Sequence, residues 1–407
     1  MRIALAAEGS RGDVHPLLAL GERFLRLGHD VLVCAPPNFR AVTEERGMEF
    51  APVGRDTREL LIECAGAVTA GGFRLIRETE YLLRDSIARQ LERVPELARG
   101  SDLIIGAGVQ VGARVAADLH DIPYRFVAYC PALLPSPELT PAVIPTRPLP
   151  RWINRPAWGF TKLLFNHLML RSINERLANA GAAPAKSAIE YVLAERPVLA
   201  ADAELAPAPA ECPHAIEQIP CLHPLDGPAL PEKLEAFLDR GPPPVYLGFG
   251  SMTDPDPEAT TRQVLAAVTA AGVRAVIAQG WAGLARGPLP EGVFAAGPVA
   301  HARLFPRTAA VIHHGGAGTT TTAARAGVPQ IVIPHLLDQF YWSSRVTQLG
   351  LGPPPVPRHR LTAVHLAEVL TATFDNDVLR DRTREVGERL RARARAAPDP
   401  AGVLLRD

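Results

Sequence analysis

Apolar residues recur along this chain in short runs of strand length, each followed by a turn and then by apolar positions at helical spacing. "RIALAAE" at residues 2–8 is the first such run. "GSRGDVHP" reads as a turn. In "LLALGERFLRLG", Leu17, Leu18, Leu20, Phe24 and Leu27 fall on one helical face, and Gly28 stands where a C-cap belongs. Pro16 suits the first turn of that helix, where its missing N–H is harmless. "HDVLVCAP" returns to strand, so the chain opens as a β-α-β unit. "SDLIIGAG" and "PYRFVAYC" predict two further strands.

The middle is less regular. Residues 131–158 hold eight prolines, and "PLPRWINRPAWGF" predicts a long structured loop with apolar exposure. Residues 203–244 are again Pro-rich and read as the end of a first domain and a linker. The opening plan then repeats. "PVYLGFGSMTDPDPEATTRQVLAAVTAAGVRAVIAQG" is strand, Gly-Ser turn, helix, Gly and strand. Two such starts predict two doubly wound α/β domains with mainly parallel sheets. Ligands of such sheets sit beyond the carboxyl ends of the strands, so the expected site is a cleft between two facing domains.

Length supports this division, because 407 residues exceed one core. With 47% hydrophobic and 21% charged residues, the composition is that of a soluble globular protein. Zero formal net charge argues against a nucleic-acid partner. Only three of the basic residues are Lys, which we read as coding bias, and the run from Arg380 to Arg395 as a solvated helix face. Cys34, Cys64, Cys130, Cys212 and Cys221 are odd in number and scattered, which fits neither a disulfide framework nor a metal motif. The N-terminus enters a strand directly, and no apolar run reaches membrane-spanning length, so a cytoplasmic location without membrane insertion is expected.

The chemistry concentrates in "VIHHGGAGTTTTAARAGVPQIVIPHLLDQ", Val311 to Gln339. "AAVIHH" is strand-like, "GGAG" a turn and "TTTTAARAG" a short helix. Glycines let a ligand approach the backbone, and the first N–H groups of a helix favour an anion. No Gly-Lys-Ser/Thr is present, so this is not a Walker A loop. Adjacent strand residues point to opposite faces, so at most one of His313 and His314 faces a given ligand. His313 leads into the turn and is expected at a phosphate, with His314 a buried core group. Asp338 and Gln339 follow the next strand and suit sugar hydroxyls, or else a helix cap. Gly9 and Gly12 in a β-α-β setting raise a dinucleotide site. However, the second strand ends "VLVCAPP" without an acid, and the glycine spacing is not G-x-G-x-x-G. Asp254-Pro255-Asp256 precedes a helix and reads as its cap, not as a metal motif.

These residues carry a resemblance. "HHGGAGTTTTAARAGVPQIVIPHLLDQ" resembles the donor-site signature of family 1 glycosyltransferases with the GT-B fold. The likeness extends to bacterial enzymes that glycosylate antibiotics and other natural products, the vancomycin group among them. Sterol glucosyltransferases share much of it. "EGSRGDVHPLLALG" and "VYLGFGSM" are similar to the same group's two domain starts, so the likeness spans the chain in order.

The resemblance implies two Rossmann-like domains. Residues 1–220 would bind the acceptor, chiefly through 55–90 and 131–165, and 221–243 would be a linker. Residues 244–407 would bind the donor, with the last helix packing back on the first domain. His313 and the turn Gly315, Gly316, Ala317, Gly318 and Thr319 would hold the donor diphosphate, with a hydroxyl from Ser251. Asp338 and Gln339 would hold the sugar, and backbone groups near Val299 the base. Asp13 falls where many relatives carry a catalytic His, so it would be the general base, although an N-cap role also fits it. His15 is read as a polar residue near that cap. Ser10, Arg11, Gly12, His15, Trp152 and Trp158 would line the donor or acceptor cleft. Phe73, Tyr81 and Phe160 add apolar acceptor surface. Thr321 stands near a Glu that grips ribose in plant members, which leaves uridine against thymidine open.

The expected activity is an inverting transfer that needs no metal or other cofactor. It moves a sugar from a UDP- or dTDP-sugar to a hydroxyl of a lipophilic natural product, a polyketide, macrolide or peptide aglycone. A sterol or lipid glucosyltransferase, a sugar-nucleotide epimerase and a non-catalytic GT-B partner are the alternatives. The expected state is a monomer or weak dimer.

Overall fold

The computed structural model describes residues 1–70, 72–146, 148–223 and 227–406, except the side chains of 64–79. The expectations for Cys64 and Phe73 lie outside the described residues. The chain divides into two compact units, Met1–Pro141 with Leu149–Leu225 and Pro398–Asp407, and Ala142–Pro148 with Asp226–Ala397.

The first unit is a seven-stranded parallel sheet. Its strands are β1 (Arg2–Glu8), β2 (Asp30–Ala35), β3 (Glu49–Pro52), β4 (Leu103–Gly108), β5 (Tyr124–Ala128), β6 (Val198–Ala200) and β7 (Glu217–Ile219), in the order β3-β2-β1-β4-β5-β6-β7. Ile3 and Leu5 of β1 and Ile104 and Ile105 of β4 are fully buried. These near-continuous apolar runs are those of strands covered on both faces. From β1 the chain builds outward to β3, then returns to start β4 on the other side. The switch point therefore lies at the carboxyl ends of β1 and β4.

The first helix starts earlier than the apolar spacing predicts, running Arg11–Arg26. Ser10 is its N-cap, with extended backbone. The Asp13 carboxylate reaches back to the Ser10 N–H at 2.7 Å while the Ser10 hydroxyl accepts the Gly12 N–H at 3.2 Å. This reciprocal cap begins the helix inside the expected turn and leaves Pro16 within it. The Pro-rich stretch 131–158 is also more regular than predicted, because a helix runs Arg151–Phe165 after Pro150. Buried Asn154 donates to the carbonyls of Pro137 and Leu149, which ties the preceding loop to that helix.

The second unit is a five-stranded parallel sheet of β8 (Val245–Gly248), β9 (Ala275–Ala278), β10 (Val293–Ala296), β11 (Ala310–His313) and β12 (Gln330–Val332), ordered β10-β9-β8-β11-β12. Its switch point lies between β8 and β11. The segment read as linker contains a helix, Glu232–Asp239, whose Leu234 and Leu238 are buried with Tyr246 and Phe305. The surrounding prolines masked that i, i+4 apolar pair. At the C-terminus a short helix, Pro400–Leu404, belongs with the first unit, where the Arg406 carbonyl accepts from Arg125 at 2.8 Å. Among the described residues no helix is long and apolar enough to cross a membrane.

Candidate active site

In the second unit the carboxyl ends of β8 and β11 carry two turns, Gly250-Ser251 and Gly315-Gly316, at the switch point. The helix Ala317–Ala326 follows Gly316, which as N-cap offers no side chain to its first N–H groups. Those donors and the helix dipole make an anion seat. Gly315 has φ 90, and a Cβ there would stand 2.9 Å from Val332 and 3.1 Å from the Gln339 carbonyl, so only glycine fits. Ser251 is buried beside Gly250.

The two histidines sit differently from the expectation. His313 is fully buried. Its Nδ1 accepts the Gly315 N–H at 3.0 Å, so Nε2 carries the proton and donates it to Gln330 Oε1 at 3.0 Å. Burial holds its pKa at about 4, below the ordinary 6.5, so the ring is neutral. Both nitrogens are thus engaged within the protein, and His313 braces the turn. His314 lies between the two turns. A Cβ at Gly250 would stand 3.0 Å from its Cε1, and one at Gly316 2.6 Å from its Nε2. Its buried Nδ1 has no hydrogen-bond partner among the described residues. Burial, then His313 and His335, holds its pKa well below the ordinary range, partly offset by a hydrogen bond to the Gly248 backbone.

The Asp-Gln pair also divides. Gln339 is the first residue of the helix Gln339–Gln348 and is buried. Its Oε1 accepts the N–H groups of His335 (2.8 Å) and Leu336 (3.2 Å), and its Nε2 reaches Met252 Sδ at 3.3 Å. The amide is therefore spent on the loop after β12, not turned to a sugar, because that loop has backbone donors to satisfy. Asp338 is only half-buried, and its Oδ2 accepts from Trp342 Nε1 at 3.0 Å. Leu337 before it has φ 50, a left-handed backbone unusual for leucine.

In the first unit Asp13 stands at the β1/β4 switch point. A Cβ at Gly9 (φ 129) would meet its Oδ2 at 2.3 Å, and one at Gly108 its Oδ1 at 3.3 Å. The Tyr129 hydroxyl donates to its carbonyl at 3.1 Å. Burial pushes its carboxyl up to about 6, partly offset by the Ser10 hydrogen bonds.

Residues 3–87 match the glycosyltransferase family 28 N-terminal domain, and residues 262–406 the C-terminal domain of erythromycin biosynthesis protein CIII-like proteins. The chain is 37% identical over 378 residues to the vancomycin aglycone glucosyltransferase of Amycolatopsis orientalis, covering 91% of this chain and 90% of the relative. The chain belongs to the vancomycin-group glycosyltransferases. It is also similar to the dTDP-epi-vancosaminyltransferase of A. orientalis, at 33% identity over 359 residues, 86% of this chain and 85% of the relative. Its fold is that of GT-B glycosyltransferases. The spinosyn rhamnosyltransferase SpnG, solved with thymidine diphosphate, superposes with a TM-score of 0.66 over 99% of each chain at 19% identity.

The remaining expected residues of this glycosyltransferase fall into four groups. Ser10 caps the first helix, and Arg11 and Gly12 open it. His15 lies in that helix against the edge of Phe39, with its pKa held at about 4 by burial, Arg11 and Arg46. Val299 follows β10, its side chain packed on the core of Leu304 and Phe305. Trp152 is 75% exposed, as Tyr81 and Phe160 are largely exposed, whereas Trp158 is 7% exposed and donates to the Leu139 carbonyl at 2.8 Å. Trp158 is therefore a core residue and not a cleft wall. Asp256 caps the helix Pro257–Ala270 through the Ala259 N–H at 2.8 Å, and Asp254 is held by Arg358 and by Thr260 at 2.9 Å. One acidic residue escaped the sequence reading. Glu8, the last residue of β1, is a buried-side carboxyl pushed up to about 7 by burial. A charged residue closing an otherwise apolar strand was its only signal.

Proposed function

We propose that this glycosyltransferase moves a hexose from a thymidine- or uridine-diphosphate sugar to a hydroxyl of a lipophilic natural-product aglycone, with inversion and without a bound metal. The observation that carries the donor half is the uncapped helix start at Gly316, with the Nε2 edge of the His314 ring beside it. The names of the two A. orientalis relatives, an aglycone glucosyltransferase and a dTDP-sugar transferase, support the acceptor class and the donor. So does the thymidine diphosphate in the spinosyn enzyme.

In this reading the anomeric C–O bond to the diphosphate breaks as the acceptor oxygen attacks from the opposite face. Negative charge grows on the leaving diphosphate. The N–H groups of Ala317, Gly318 and Thr319, the Ser251 hydroxyl and His314 stabilise it, and they are fixed before the reaction starts. His313 positions the turn. Asp338 takes sugar hydroxyls and Gln339 holds its loop in place, while backbone groups near Val299 meet the base. Asp13 takes the acceptor proton as the bond forms. A base works best with a pKa near the working pH, and burial moves Asp13 in that direction.

Mass spectrometry of dTDP- and UDP-hexoses against aglycones and a sterol tests the reading. It predicts a product heavier by one hexosyl residue with an aglycone. Sterol product alone would move the acceptor class, and epimerised or unconsumed donor throughout would refute transfer.

A further inference from the structure

Glu8 and Asp13 share the switch point of the first sheet. Glu8 ends β1 and pairs in register with Gly108 of β4, the same glycine whose Cβ would lie 3.3 Å from Asp13 Oδ1. The Glu8 carboxyl rests against Gly54, where a Cβ would stand 2.9 Å from Oε2 and 3.1 Å from Oε1. Its position is set from below. Fully buried Gln90, on the helix Gly72–Leu97, donates through Nε2 to the Val109 carbonyl and to Ser86 Oγ, both at 3.1 Å. Gln90 Oε1 accepts the Val111 N–H at 2.9 Å, which fixes the amide's orientation. The Ser86 hydroxyl, its oxygen accepting from Gln90, donates its own proton to Glu8 and so favours the Glu8 anion. Glu8 Oε2 remains buried with no hydrogen-bond partner among the described residues. The groups facing Glu8 are thus Asp13, the Ser86 hydroxyl and the backbone at Gly54. The neighbouring cation Arg55 is engaged by Glu63 at 2.7 Å.

We propose that Glu8 is a positioning residue for the transfer reaction: a second carboxyl, anchored by Ser86 and Gln90, whose charge sets the strength of Asp13 as a base. This rests on Asp13 being the base. The two carboxyls titrate as a coupled pair. Burial keeps the Glu8 proton to about pH 7, and the charge of Asp13, which ionises first at about 6, adds to that effect. Between those values one proton stays at the switch point. Above them Glu8 becomes an anion, stabilises the protonated form of Asp13 and so makes Asp13 the stronger proton acceptor.

The test is a pH profile of kcat with saturating donor, paired with difference infrared titration of carboxyl groups in the full chain. Wild type should show two rising steps. Glu8→Gln should lose the upper step and its infrared band while keeping donor KM. Ser86→Ala, which removes the hydroxyl favouring the Glu8 anion, should move the upper step to higher pH. In Asp13→Asn the Glu8 band should titrate at lower pH, whatever happens to turnover. That infrared readout separates the pairing from the base assignment, which falls if Asp13→Asn keeps its turnover. A Glu8→Gln profile of wild-type shape, or a Glu8 band unmoved in Asp13→Asn, would overturn the proposal.

Discussion

His313 Nδ1 accepts the Gly315 N–H at 3.0 Å, so a fully buried imidazole holds the first residue of the donor turn. The strand end, the turn and the helix start are thereby fixed relative to one another before any donor arrives. The neighbouring ring, His314, turns its Nε2 edge towards Gly316 at the helix start.

This division of labour predicts different failures. His314→Ala should weaken nucleoside diphosphate binding by roughly ten- to 150-fold, the loss of a hydrogen bond to a charged group at about 1.5–3 kcal/mol, with little change in melting temperature. His313→Ala should lower the melting temperature and loosen the turn, because it leaves Gln330 Oε1 and the Gly315 N–H without partners. Calorimetry with the free diphosphate, beside thermal melts, separates the two. Loss of diphosphate binding in His313→Ala at unchanged stability would instead put that ring on the phosphate.

Asp338 and Gln339 should also part. Asp338→Asn is expected to weaken the sugar nucleotide but not the free diphosphate. Gln339→Ala removes the acceptor for two loop N–H groups and should weaken both ligands together. A Gln339→Ala variant selective for the sugar conjugate would return its amide to the sugar.

Much of this was legible in the sequence, for physical reasons. The parallel strands are continuous apolar runs ending in glycine turns, so β1, β4, β8 and β11 could be read, whereas their order in the sheets could not. The Ser10–Asp13 cap was harder, because Pro16 drew the helix start too far along. Which of two adjacent histidines is buried depends on the neighbour across the sheet, here Gln330 on β12, and no local pattern reports that. The destination of the Gln339 amide depends on loop curvature at Leu337, and the Glu8 relay on side chains about eighty residues away.

Stability should respond to pH with opposite signs in the two units. His313 and His335 fall to about 4, so between 6.5 and 4 the unfolded chain binds protons that the folded chain refuses. Stability of the second unit is then lost as pH falls through that window, by up to about 1.4 kcal/mol per pH unit per net proton. In the first unit Asp13 and Glu8 are raised and cost stability as pH rises from about 4 towards 6 and 7; His15, held at about 4, opposes one of them below 6.5, so the two carboxyls set the net sign. Hydrogen exchange at pH 7 and 5 should show faster opening at β11 in acid, and His313→Gln should flatten that dependence. Equal pH slopes in wild type and His313→Gln would contradict the buried neutral ring.

Turnover should survive excess EDTA. The diphosphate has a helix start to meet its charge, Asp256 is a helix cap, and Asp254 is neutralised by Arg358. Full loss of activity, restored by Mg²⁺ or Mn²⁺, would bring the two aspartates back as metal ligands.

The most direct test of the transfer chemistry is kcat of Asp13→Asn at saturating acceptor, with donor affinity measured by calorimetry on the same sample. Asn keeps an oxygen to accept the Ser10 N–H, so the cap survives while the base is lost. The account predicts a fall in kcat of roughly 10²–10⁴, the usual share of general base catalysis, with donor affinity unchanged. Near-normal turnover would contradict it and leave Asp13 as a helix cap alone.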